Sequence, residues 1–169
     1  MRIQSFCWVL KYPKIIRHLI YFLKVFIEGT TVNIIYAQDP VSTGLPAYLA
    51  ARFLNKKFYL KIVGDYAWEQ GSQRSGVTDL LDTFSVEHNK YPFMVRMLKK
   101  IEFFVASHSD KILVPSNYLK QIVSNWGVNP EKITVIYNAF HAPNISLSKD
   151  EARKSLNWEG TIIFSAARL

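Results

Sequence analysis

Residues 32–63 read VNIIYAQDPVSTGLPAYLAARFLNKKFYLKIV, and the order of patterns in this stretch decides the fold. A β-branched run from Val32 to Gln38 gives way to the turn formers Asp39-Pro40-Val41-Ser42-Thr43-Gly44. Leu45 to Asn55 then has the spacing of a helix, and Phe58 to Val63 reads as a second, largely buried strand. Strand, helix and strand in so short a span make a βαβ unit. The rhythm returns downstream: a helix over Phe93–Ser107, the strand KILVPS (111–116), a helix from Tyr118 to Trp126, the turn Gly127-Val128-Asn129-Pro130 and the strand KITVIYN (132–138). Apolar strands alternating with helices predict an α/β fold, a Rossmann-like parallel sheet with helices on both faces.

The 169 residues are 49% hydrophobic and 14% aromatic, enough for a packed core and incompatible with a disordered chain. A formal charge of +8 favours anionic partners, whether phosphates, sugar nucleotides, anionic lipid or nucleic acid. Nothing beyond charge supports a nucleic-acid partner, and none is expected. The single cysteine, Cys7, has no partner for an internal disulfide, and no CxxC or Cys/His cluster offers a metal site, so neither metal nor cofactor is expected. The start, MRIQSFCWVLKYP, lacks the composition of a signal peptide, and no apolar run reaches the roughly 18 residues of a membrane span. A cytoplasmic protein is expected, peripheral on the inner membrane face if residues 13–28 meet lipid. Within and just past that stretch, KIIRHLIYFLKVFIEG (14–29) reads as a basic amphipathic helix, with Ile15, Ile16, Leu19, Ile20, Leu23, Phe26 and Ile27 on one stripe and Gly29 placed to stop it. Two readings of the stripe stay open: packing into the core, or lying on an anionic membrane surface.

Between the two βαβ runs, Gln70 to Tyr91 is a long, partly helical excursion that begins with a polar cluster and contains His88, read as a surface residue. Beyond the last strand the composition shifts again. Residues 1–140 are read as one domain, 141–160 as a linker and helix with Ser148 as N-cap, and 161–169 as the first strand of a further domain.

Ligands of open parallel sheets bind outside the carboxyl ends of the strands, where loops converge and helix N-termini point. The residues there are Asp39, Ser42 and Gly44 after the first strand, Gly64, Asp65, Trp68 and Glu69 after the second, Ser116 after the third and Asn138 after the fourth. Ser42 and Thr43 read as N-caps of the following helix, with Gly44 letting backbone amides approach an anion or a sugar hydroxyl. Ser116 also reads as an N-cap, and Asn138 as a turn residue. Asp65 needs solvent or a partner at a strand end, and Gly64 leaves room beside it. A hydroxyl held by Asp65 or Glu69 over Tyr66 or Trp68 would suit carbohydrate; Trp68 in the core and Glu69 paired with Arg74 are the structural alternatives. No GxGxxG or GxxxxGK[ST] motif is present, which counts against a dinucleotide or P-loop site.

Lined up in this order, the stretches IIYAQDPVSTGLPAYLAAR, FYLKIVGDYAWE, SDKILVPSNYLKQIVSNWGVNPEKITVIYN and IIFSAARL resemble the N-terminal domain of family 4 glycosyltransferases, retaining enzymes with two facing Rossmann-like domains. The third stretch is the most specific. The resemblance implies the N-terminal half of a GT-B fold, truncated at both ends: the Gly-rich first strand of the family is missing ahead of Met1, and nearly all of the donor domain, including its glutamate pair, after Leu169. It also implies sugar transfer from a nucleotide-sugar donor, held by the missing domain, to a cell-envelope glycan or lipid-linked acceptor held here. Gly64-Asp65 then stands where many relatives carry a histidine-aspartate pair on the transferred sugar, which makes Asp65 the candidate catalytic contact. Arg168 resembles the arginine that meets the donor diphosphate, a task suited to a guanidinium fork. Asn138-Ala139-Phe140-His141 replaces the usual asparagine-glycine-valine-aspartate. The fragment alone is expected to be inactive. The competing expectation is a non-catalytic Rossmann-like binding module.

Overall fold

The computed structural model describes residues 13–87, 89–139 and 147–161. His88, Arg168 and nearly all of the strand expected over 161–169 lie outside them. The chain divides into two compact units, Met1–Tyr137 and Asn138–Leu169.

In the first unit the described elements run α1 (Lys14–Gly29), β1 (Ile34–Ala37), α2 (Gly44–Phe53), β2 (Lys57–Lys61), α3 (Tyr66–Arg74), α4 (Leu81–Val86), α5 (Phe93–Ser107), β3 (Lys111–Val114), α6 (Asn117–Asn125) and β4 (Ile133–Val135). The strands form one parallel sheet in the order β1-β2-β3-β4, the α/β architecture expected. Register pairs Ile35 with Phe58, Ala37 with Leu60, and Ile112 with both Leu60 and Ile133, so these side chains share one face. Together with Ala47 and Tyr48 of α2, Val105 and Ala106 of α5, and Ile122 and Val123 of α6 they make the main core. Burial of a large apolar side chain contributes about 1.5–3 kcal/mol, so this face holds the unit together. The opposite face carries Ile34, Tyr36, Tyr59 and Leu113, with Ile34 and Tyr36 exposed. Helical cover is thus established, among the described residues, for one face.

The strand order rises without reversal, so the described strands contain no topological switch point. Any site must be argued from the strand ends themselves.

Two helices depart from the sequence reading. Core packing, one of the two open readings of the α1 stripe, does not hold for Ile16, Leu19, Leu23 and Ile27, which are exposed, while Ile20 and Phe26 are half-buried. The packing side of α1 carries Tyr21 and Val25 instead, and the helix ends at Gly29, where a Cβ would come 2.7 Å from Leu54 Cδ1 and 3.0 Å from Ile35 Cδ1. Gly29 is the last helical residue, where the sequence reading placed the stop, and its missing side chain also permits this close approach. The second departure is α3, which begins at the expected end of β2 and runs through the polar cluster. Asp65 caps it and Gly71 lets it press on Val77, whose Cγ2 would lie 3.0 Å from a Cβ at that position. A second, smaller core of Ala67, Phe84, Tyr91 and Val95 ties the excursion down.

In the second unit, α7 (Lys149–Leu156) begins with the expected cap. The Ser148 hydroxyl accepts from the Glu151 amide at 3.3 Å and the Glu151 carboxylate accepts from the Ser148 amide at 2.8 Å, satisfying two amides a helix start leaves unpaired.

Candidate functional site

At the end of β1 the Asp39 carboxylate accepts from the amides of Val41, at 2.6 Å, and Ser42, at 2.5 Å. This turn, not a hydroxyl of Ser42 or Thr43, organises the start of α2, which has no side-chain cap. Gly44 is required here because a Cβ would collide with the Asp39 carbonyl oxygen. At the end of β3 the Ser116 hydroxyl accepts from the Leu119 amide at 3.1 Å, the expected cap of α6. Asn138, beyond β4, is exposed.

The end of β2 is different. Asp65 is 1% exposed. Its Oδ1 accepts from the Trp68 amide at 2.7 Å, and its Oδ2 from the Trp126 indole Nε1–H at 3.2 Å. A further carboxyl group meets it there, that of Glu102 on α5, also 1% exposed. Glu102 Oε1 accepts from the amides of Tyr66, at 2.7 Å, and Ala67, at 3.2 Å. The two acids therefore divide the first amides of α3 between them, a task that usually falls to one capping residue and water.

Two carboxyl groups this close and this buried cannot both stay ionised. Burial pushes Glu102 well above the usual carboxylate range, and the charge of Asp65 adds to the push. Burial also raises Asp65, against the opposing pull of the Trp68 amide, Lys99, the Trp126 indole and Glu102. The pair therefore shares a proton, with Glu102, the more strongly raised of the two, facing the Asp65 carboxylate. Lys99, half-buried one turn before Glu102, has its ammonium pulled down by burial and supported by Asp65, Glu102 and Glu87. It donates to the carbonyls of Phe84 and, at 2.7 Å, Glu87, and lies 4.0 Å above the centre of the Phe84 ring.

Sequence reasoning found Asp65 but placed it at an open crevice, whereas the structure closes protein around it. It missed Glu102, Lys99 and Trp126. A signal existed: Val95, Leu98, Glu102 and Val105 follow helical spacing, so Glu102 is an acid on an otherwise apolar stripe.

The other residues of this strand end divide. Trp68 donates its indole N–H to the Asp79 carbonyl at 2.9 Å and packs on the smaller core. It is part of the excursion's support, as its structural alternative held. Glu69 is exposed, makes no ion pair with Arg74 among the described residues, and projects over Gly64, where a Cβ would come 2.7 Å from Glu69 Oε1. The room Gly64 leaves is used by Glu69.

Beside this cluster a cleft of about 560 Å³ runs along α5. Glu102 and Trp126 line it, so its wall is the partner layer of Asp65. The described residues contain no cluster of His, Cys, Asp and Glu able to hold a metal ion, and no helix long and apolar enough to cross a membrane.

Comparison with known families finds a match over residues 2–142 to the model described as Glycosyltransferase Family 4. Comparison with curated proteins finds no match.

Proposed function

The chain belongs to glycosyltransferase family 4, and on that premise we propose that it forms the acceptor-side half of an enzyme that moves a sugar from a nucleotide-sugar donor to a cell-envelope glycan or glycolipid. The observation that carries this reading is the β2 end, where a buried, bonded carboxyl cluster that shares Glu102 with the α5 cleft caps the helix carrying one exposed carboxylate, Glu69. A site that positions an acceptor hydroxyl needs such a support, because misplacement by about 1 Å costs large factors in rate. Glu69 is the residue proposed to accept the hydroxyl's hydrogen bond, Gly64 leaves space for it, and Asp65 positions the start of α3 from within. Asp39 and Gly44 shape the neighbouring loop. The donor diphosphate falls to Arg168 and to a second domain of the intact enzyme, the nucleotide sugar acts as substrate, and the reading invokes no metal.

A peripheral place on the inner membrane face is part of the same proposal, and α1 supports it. Its exposed stripe, Ile16, Leu19, Leu23 and Ile27, runs opposite its packing side with Arg17 and Lys24 on the flank, the arrangement of a helix lying in an anionic interface.

On this reading the 169-residue chain transfers no sugar by itself. Incubation of the purified chain with radiolabelled nucleotide sugars, with and without envelope glycan acceptors, is expected to give neither transfer nor hydrolysis above the buffer blank. Turnover of the donor by the chain alone would overturn the proposed division of labour and favour a self-sufficient enzyme.

A further inference from the structure

We propose that the cleft along α5 binds a phosphate ester carried on an apolar group, the chemistry of a phosphorylated lipid. The inference deepens the acceptor-side reading and rests on it for one point only, that the molecule held is the acceptor.

The cleft is built from Phe93, Arg96, Met97, Lys100 and Phe103 of α5, with Trp126 beyond the end of α6. Arg96 and Lys100 lie one turn apart, an arrangement of like charges that costs a helix stability unless something offsets it. Neither is bonded to an acid among the described residues, and the Arg96 Nε is buried with no hydrogen-bond partner. A buried donor left unpaired costs about 1–3 kcal/mol, so its retention calls for an acceptor from outside the fold. The one carboxyl group on the wall, Glu102, is buried against Asp65 and accepts from the Tyr66 and Ala67 amides, and it makes no ion pair with Arg96 or Lys100.

Around these cations the surface is apolar. Phe93 is 73% exposed, Phe103 43% and Met97 36%, an unusual density of large apolar groups for an open helix face. A guanidinium fork fits two phosphate oxygens at once, an ammonium adds a point charge, and the aromatic and thioether side chains offer an adaptable bed for hydrocarbon. Inorganic phosphate would leave that bed unused, and a neutral hydrocarbon would leave Arg96 unpaired. The volume falls within the roughly 300–1,000 Å³ of pockets that take a single small molecule, which favours one captured amphiphile over a flat membrane surface.

Isothermal titration calorimetry of the purified chain with decyl phosphate, kept below its micelle concentration, tests this against inorganic phosphate and decyl maltoside. One saturable site is expected, with decyl phosphate at least about tenfold tighter than either comparison compound. Arg96→Gln and Lys100→Gln are each expected to weaken it about tenfold, while Arg52→Gln, in a second basic hollow by α2, leaves it unchanged. Circular dichroism melts verify that each variant is folded. Equal affinity for inorganic phosphate, equal affinity for decyl maltoside, loss in the Arg52 variant to the same degree, or no binding at all would overturn the proposal. The readout requires no sugar transfer, so its failure would remove the ligand chemistry and leave the acceptor-side reading to the transfer assay.

Discussion

The end of β2 and the cleft along α5 meet at Glu102 and Trp126, yet their polar groups are in opposite states. On the β2 side both buried acids are engaged: Asp65 takes the Trp68 amide and the Trp126 indole and faces Glu102, and Glu102 takes two further amides, leaving only the exposed Glu69 open. On the α5 side Arg96 keeps a buried donor without a partner. The difference separates a support from a binding surface. A carboxylate at a strand end reads as a ligand contact from sequence, but its bonding decides whether anything is left to offer a ligand.

The comparison breaks most visibly if the support is cut. Asp65→Ala leaves the Trp68 amide and the Trp126 indole unpaired in the interior and opens a small void, and about 3 kcal/mol of unfolding free energy is expected to be lost. Urea denaturation followed by tryptophan fluorescence measures it; a change within about 0.5 kcal/mol, the range of an ordinary surface substitution, would show that Asp65 is not the strut described.

A smaller effect separates the two acids by pH. Glu102 keeps its proton in the fold to a pH well above that of the unfolded chain, so its contribution to stability is fully present below the ordinary value of 4.5 and is lost as pH rises through the raised one. Asp65, also raised, has the same sign. Lys99 has the opposite one, because its lowered ammonium favours the fold at high pH and loses that contribution as pH falls through the lowered value. Glu102→Gln cannot ionise, so its urea midpoint is expected to fall less than that of the parent from pH 5 to pH 9. Parallel profiles would contradict the shared-proton account.

The smallest expected change in stability comes from the exposed stripe of α1. Leu19→Ser with Leu23→Ser should leave the melting temperature nearly unchanged while reducing co-sedimentation with anionic vesicles. Equal sedimentation of the parent with neutral vesicles would remove the electrostatic part of the membrane reading.

Much of the fold was legible because strand and helix periods are local properties. Phe93–Ser107 was read to the residue, and the strands to within two or three positions at their ends. The site was less legible because burial is not local. Asp65 looks the same in sequence whether it faces a crevice or a glutamate 37 positions further on, since the spacing 65 to 102 acquires meaning only when α3 packs on α5. The α1 stripe stayed open between two readings for the same reason: helical spacing predicts an amphipathic helix but not which side is turned inward. Glu102 was the recoverable residue, an acid on an apolar helical stripe.

The central claim is that the acceptor's phosphate is met on the α5 side of this junction, while the buried acids at β2's end hold the helix that presents Glu69 to its hydroxyl. A 1H–15N titration of the purified chain tests it most directly. Phosphorylated amphiphile is expected to shift the amides of α5 from Phe93 to Phe103 and the neighbouring amides of Gly64 and Glu69, whereas nucleotide sugar alone shifts neither set. Saturable shifts by nucleotide sugar at Gly64 and Glu69, with α5 unmoved, would contradict the account.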